Sequence, residues 1–118
     1  QKVKRSFHVS TAGLEAGIAA LSDAEHLERT VSNNHAERRV LAEGLAPLGV
    51  AVAPSQANFV MFKCPGGMSA ADLTKRLVTH GVMVRPAFYL AGHIRATIGL
   101  PEENARLLAA LTEILKDQ

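Results

Sequence analysis

Apolar and polar positions along the 118-residue chain fall into short stretches, each closed by Gly or Pro. Ser10 to Leu21 is rich in Ala and Leu and predicts a first helix. Ser22 followed by Glu25 has the spacing of a capping box, which opens a second helix running to about Leu45. Leu27, Val31, Leu41, Leu45 and Leu48 keep helical spacing there, whereas Ser32 to Arg39 is polar and is expected to face solvent or a partner. Val50–Ala53 and Asn58–Phe62, parted by Pro54 and Ser55, read as strands. Ser69 caps the next helix, with Met68 and Leu73 placed as a hydrophobic staple and Gly81 as its left-handed end. Val82–Arg85 and His93–Ile98 read as two more strands. A last helix opens at Pro101, with Glu102 and Glu103 in its first turn and Leu108, Leu111 and Leu115 along one stripe.

The order α-α-β-β-α-β-β-α predicts an α/β (α+β two-layer) fold, with about four mainly antiparallel strands and helices on one face. Alternation along the last strand sends Ile94, Ala96 and Ile98 one way and His93, Arg95 and Thr97 the other. The polar side of the sheet is therefore expected to be open.

Composition narrows the functional classes. Apolar residues make up 47% of the chain and charged residues 20%, a globular profile. Thirteen basic against 11 acidic residues leave a net charge of +2, too small to argue for nucleic acid or an anionic membrane. The basic run Lys2, Lys4 and Arg5 reads as a solvated end. One cysteine, Cys64, permits no internal disulfide and suits a reduced, cytoplasmic setting. No apolar run reaches the ~18 residues of a membrane span, and no signal peptide is visible. His8, His26, His35, His80 and His93 show no metal-ligand spacing, and no metal site is expected.

The residues that could carry chemistry are few. Arg95 sits mid-strand, where a charge is costly without a partner, and Arg85 ends the neighbouring strand. Two guanidiniums on one sheet edge would make a receptor for an anion. Two surface arginines bridged to acids are the plainer reading on pattern alone. Asn58 reads first as a strand-edge hydrogen-bonding residue, and Tyr89 as either a pocket wall or a cover for the sheet's rim.

Four segments taken together resemble a known family. Lys2 to Val9 ahead of an Ala-rich helix, Ser55-Gln56-Ala57-Asn58-Phe59-Val60, Gly81 to Pro86, and His93 to Gly99 followed by Pro101-Glu102-Glu103-Asn104 stand in the order found in histidinol-phosphate aminotransferases. The resemblance covers nearly the whole chain and implies the small C-terminal domain of a fold-type-I enzyme. Residues 1–21 would then be the inter-domain segment and helix, and the large cofactor-binding domain would be missing. It further implies pyridoxal phosphate in the full-length enzyme, a homodimer, and amino transfer with 2-oxoglutarate. Arg95 would grip the substrate's phosphate or carboxylate, Arg85 would serve the phosphate of histidinol phosphate, and Asn58 and Tyr89 would stand beside them.

The sequence departs from that pattern in places. Ser6 and His8 replace a usual proline and asparagine, Leu100 stands where threonine usually caps the last helix, and the loop between Pro86 and Arg95 is about two residues short. None of Lys2, Lys4, Lys63, Lys75 or Lys116 stands in the family's Ser-Lys motif. No catalytic residue is therefore assigned, no cofactor is expected on this chain alone, and these residues by themselves are expected not to transaminate. The competing expectation is a free-standing module that binds an anionic metabolite or a protein.

Overall fold

The computed structural model describes residues 9–117, so the run Lys2, Lys4 and Arg5, the departures at Ser6 and His8, and most of the segment 1–9 lie outside the described residues. The chain divides into two compact units, Gln1–Ser32 and Asn33–Gln118.

In the first unit, α1 (Thr11–Leu21) is capped by Ser10, whose hydroxyl accepts from the Gly13 amide at 3.1 Å. Ser22 ends this helix rather than opening the next. Asp23 caps α2 (Ala24–Leu45) instead, its Oδ1 accepting from the His26 amide at 2.9 Å. Asp and Ser cap about equally well, and the residue nearer the helix takes the position. Leu27 and Val31, expected on an inward stripe, are exposed, and α1 buries no residue.

The second unit holds one hydrophobic core under a three-stranded antiparallel sheet of order β1-β3-β2. The strands are β1 (Phe59–Lys63), β2 (Arg85–Pro86) and β3 (His93–Thr97). The fold class follows the expectation, but two expected strands shrink. Val50 donates back to Leu45 at the end of α2, and Pro54 has no amide to offer, so Val50–Ala53 keeps one bridge, Val52 with Phe62. Val82 donates to Leu77 across the left-handed Gly81 (φ 73°), so residues 82–84 follow the helix end and pairing with β3 starts at Arg85.

Alternation holds in β3: Ile94, Ala96 and Ile98 are buried, while Arg95 and Thr97 are exposed. Val60 and Phe62 join the buried side from β1. Leu41 and Leu45 of α2, Leu73 and Leu77 of α3 (Ala70–Thr79), and Leu107, Leu111 and Ile114 of α4 (Pro101–Lys116) cover it. Of the expected α4 stripe, Leu111 is buried, while Leu108 and Leu115 are half-buried and Leu107 and Ile114, one position earlier, take the inward places. Each fully buried side chain of this size contributes about 1.5–3 kcal/mol.

The polar middle of α2 is not simply solvent-facing. Glu37 is buried and accepts from Asn104 Nδ2 of α4 at 2.7 Å, while Asn33 and Asn104 both donate to the Gly99 carbonyl. Arg38 donates to the Ala57 carbonyl at 2.9 Å and so fixes the turn before β1. The polar run therefore fastens α2 to one end of the sheet, where β1 starts beside the end of β3.

Candidate functional site

The sheet's uncovered face carries a shallow groove of about 220 Å³. Phe59 and Met61 of β1, Arg95 of β3, Arg85 of β2, and Phe88 and Tyr89 of the following loop line it. Strand register explains the gathering. Met61 and Arg85 both lie opposite Arg95, one on each side, and directly opposed residues of antiparallel strands share a face.

The loop from Ala87 to Gly92 is closed by backbone bonds. Ala87 donates to His93 at 2.9 Å, Cys64 donates to Gly92 at 2.8 Å, and Gly92 takes a positive φ of 69° that a side chain would strain. Phe88 and Tyr89 consequently stand at the groove's mouth, Tyr89 fully exposed.

Electrostatically the groove is one-sided. It is lined by two guanidiniums and no carboxylate. Among the described residues, neither Arg85 nor Arg95 has a hydrogen-bond or ion-pair partner; each instead lies over a ring. Arg95 Cζ is 4.1 Å from the Phe59 centroid, and Arg85 Cζ is 4.3 Å from that of Phe88. The plainer expectation, surface arginines bridged to acids, is thereby set aside. A ring engages the flat face of a guanidinium and leaves its in-plane N–H donors free, the donors that grip carboxylate or phosphate.

Of the residues singled out from sequence, Arg85, Tyr89 and Arg95 come together and Asn58 does not. Asn58 precedes β1, in alternation with Phe59 and away from the groove, and its carbonyl accepts from the Ile98 amide at 2.9 Å. Phe59, Met61 and Phe88 escaped the sequence reading. Phe59 and Met61 required the register, while the run Phe88-Tyr89-Leu90 in a loop was a visible signal.

A larger cleft of about 370 Å³ lies at the start of α4, and two of its polar side chains, Glu103 and Asn104, are engaged in the fold. Glu103 Oε2 accepts from the Leu100 amide at 2.8 Å and Asn104 Oδ1 from that of Gly99 at 3.0 Å.

The family profile described as aminotransferase class I and II matches residues 1–111. The chain belongs to that family. Among class I and II aminotransferases it is 41% identical over 117 residues to the histidinol-phosphate aminotransferase of Methylobacillus flagellatus, covering 98% of this chain and 31% of that one. The Symbiobacterium thermophilum enzyme of the same name is 40% identical, covering 92% and 30%. Two solved structures share the fold. The histidinol-phosphate aminotransferase of Sinorhizobium meliloti in complex with pyridoxal-5'-phosphate has a TM-score of 0.80 at 30% identity, over 98% of this chain and 33% of that one. A decarboxylase from Sulfurospirillum multivorans has a TM-score of 0.64 at 34% identity, over 74% and 24%. The chain thus spans about a third of the length of the curated relatives it matches.

An aminotransferase needs a lysine amine for its cofactor. The described lysines Lys63, Lys75 and Lys116 are all exposed, and none lines the groove. These lysines do not fit the role of holding pyridoxal phosphate.

Proposed function

We propose that this chain is the small domain of a cytoplasmic, homodimeric pyridoxal-phosphate aminotransferase acting on histidinol phosphate or a related anionic amine. In this reading residues 1–21 are the inter-domain segment and helix, a large domain supplies the cofactor and its lysine, and the chain alone does not transaminate. Its share of the work is to bind and orient substrate. Arg95 grips the anionic group, Arg85 adds a second pair of donors, and Tyr89 closes the groove's mouth; Asn58 acts at one remove, through the backbone that starts β1.

The observation that carries this reading is the pair of guanidiniums without partners, side by side on the open face. An uncompensated pair of like charges is unfavourable in an empty groove and favourable beside an anion. In the full-length protein, Arg95→Ala is expected to raise KM for the amino substrate about tenfold to a hundredfold, as loss of charge-assisted hydrogen bonds does. Its melting temperature should hardly move. An unchanged KM, or a loss of stability that accounts for the loss of activity, would overturn the assignment. Anion binding without any transaminase activity in the full-length protein would favour a free-standing binding module.

A further inference from the structure

Phe88 is out of place for a structural residue. It is 74% exposed, it belongs to no part of the core, and two other large side chains follow it in the same loop. Its ring lies against the guanidinium of Arg85, whose Cζ is 4.3 Å from the ring centroid. The backbone bonds of Ala87 and of Gly92 hold the loop at both ends, so the ring is presented from a fixed base.

Arg85 needs such a support. It stands directly opposite Arg95, so the two charges repel, and no carboxylate among the described residues draws it into the groove. An exposed arginine in that position would swing towards solvent and lose rotamer entropy on every binding event. A carboxylate could pin it, but only by occupying the donors that an anion must reach. A phenyl ring pins it through the flat face and leaves those donors open. Arg95 has the same arrangement over Phe59, although that ring is half-buried within β1.

We propose that Phe88 is a positioning residue whose ring holds the Arg85 guanidinium beside that of Arg95, so that the groove takes a phosphoryl dianion in preference to a monocarboxylate. The proposal rests on the reading of the groove as an anion site. A phosphoryl dianion brings about two negative charges and three terminal oxygens to the two guanidiniums, whereas a monocarboxylate brings one charge and two oxygens in one plane. Phe88 therefore acts on the second clamp and on the choice between ligands.

The test is an NMR titration of the 118-residue chain with inorganic phosphate and, separately, with acetate, following the arginine side-chain Nε–H resonances. Phe88→Leu is expected to remove the ring-current displacement of the Arg85 resonance and to weaken phosphate binding about two- to fivefold, with acetate binding little changed. Phe88→Tyr should restore both. In an Arg85→Ala background, Phe88→Leu should add nothing. Phosphate affinity unaffected by Phe88→Leu, or weakened equally with and without Arg85, would overturn the role of Phe88. Arg95→Ala separates the two levels. If it leaves phosphate binding intact, the anion site itself is wrong; if it abolishes binding while Phe88→Leu behaves as wild type, only Phe88's role falls.

Discussion

Leu100 shows how one side chain leaves a helix end half finished. It occupies the N-cap of α4 without any side-chain acceptor, so only the reciprocal half of a capping box forms, from Glu103 back to the Leu100 amide at 2.8 Å. Leu100→Ser should supply the missing acceptor and raise stability by about 0.5–1 kcal/mol, read as a higher denaturant midpoint. That weakness was legible in the sequence, since a leucine cannot cap; the compensation by Glu103 needed coordinates. Cys64 behaves differently. Burial pushes its thiol up from the ordinary value, outweighing the lowering by a backbone hydrogen bond. The native thiol should therefore react with a disulfide reagent at pH 8 at least about tenfold more slowly than in the unfolded chain. Because the folded state holds this proton more tightly, its stabilising share is complete below the ordinary thiol pKa and declines as the pH rises past it.

Between elements, the contact least visible from sequence is the one joining α2 to α4. Glu37 and Asn104 are 67 positions apart, and both lie in stretches whose polarity argues for solvent. Only the packed helices bring the carboxylate onto the amide, out of water. Asn104→Ala should cost about 1–3 kcal/mol by leaving the carboxylate short of a donor, whereas Glu37→Gln should cost less because its oxygen still accepts; urea unfolding of both variants decides. The helices and their main boundaries were legible because Ser10, Ser69, Gly81 and Pro101 act locally. The strands Val50–Ala53 and Val82–Arg85 were not, because their fate is set by bonds back to helix ends at Leu45 and Leu77. For the candidate site the same division holds. Alternation alone placed Arg95 on the open face, while the ring under each guanidinium came from register and loop closure.

At the scale of the molecule, the two units differ in how much they bury. Every described residue from Val9 to Ser32 is exposed, and an 11-residue helix such as α1 is marginal in water by itself. In the 118-residue chain, amides of α1 should exchange with solvent within the dead time of a manual experiment, while those of β3 stay protected. Slow exchange across α1 would show that it is covered by something. The sheet has a different consequence. Arg85 and Arg95 meet only when β2 and β3 pair in one alignment, and a shift of β3 by a single residue would carry the Arg95 charge under the helices and lift Ile94 into water. The groove thus doubles as a check on assembly: a strand threaded out of step is rejected by the same charge that a correctly threaded one offers to a ligand.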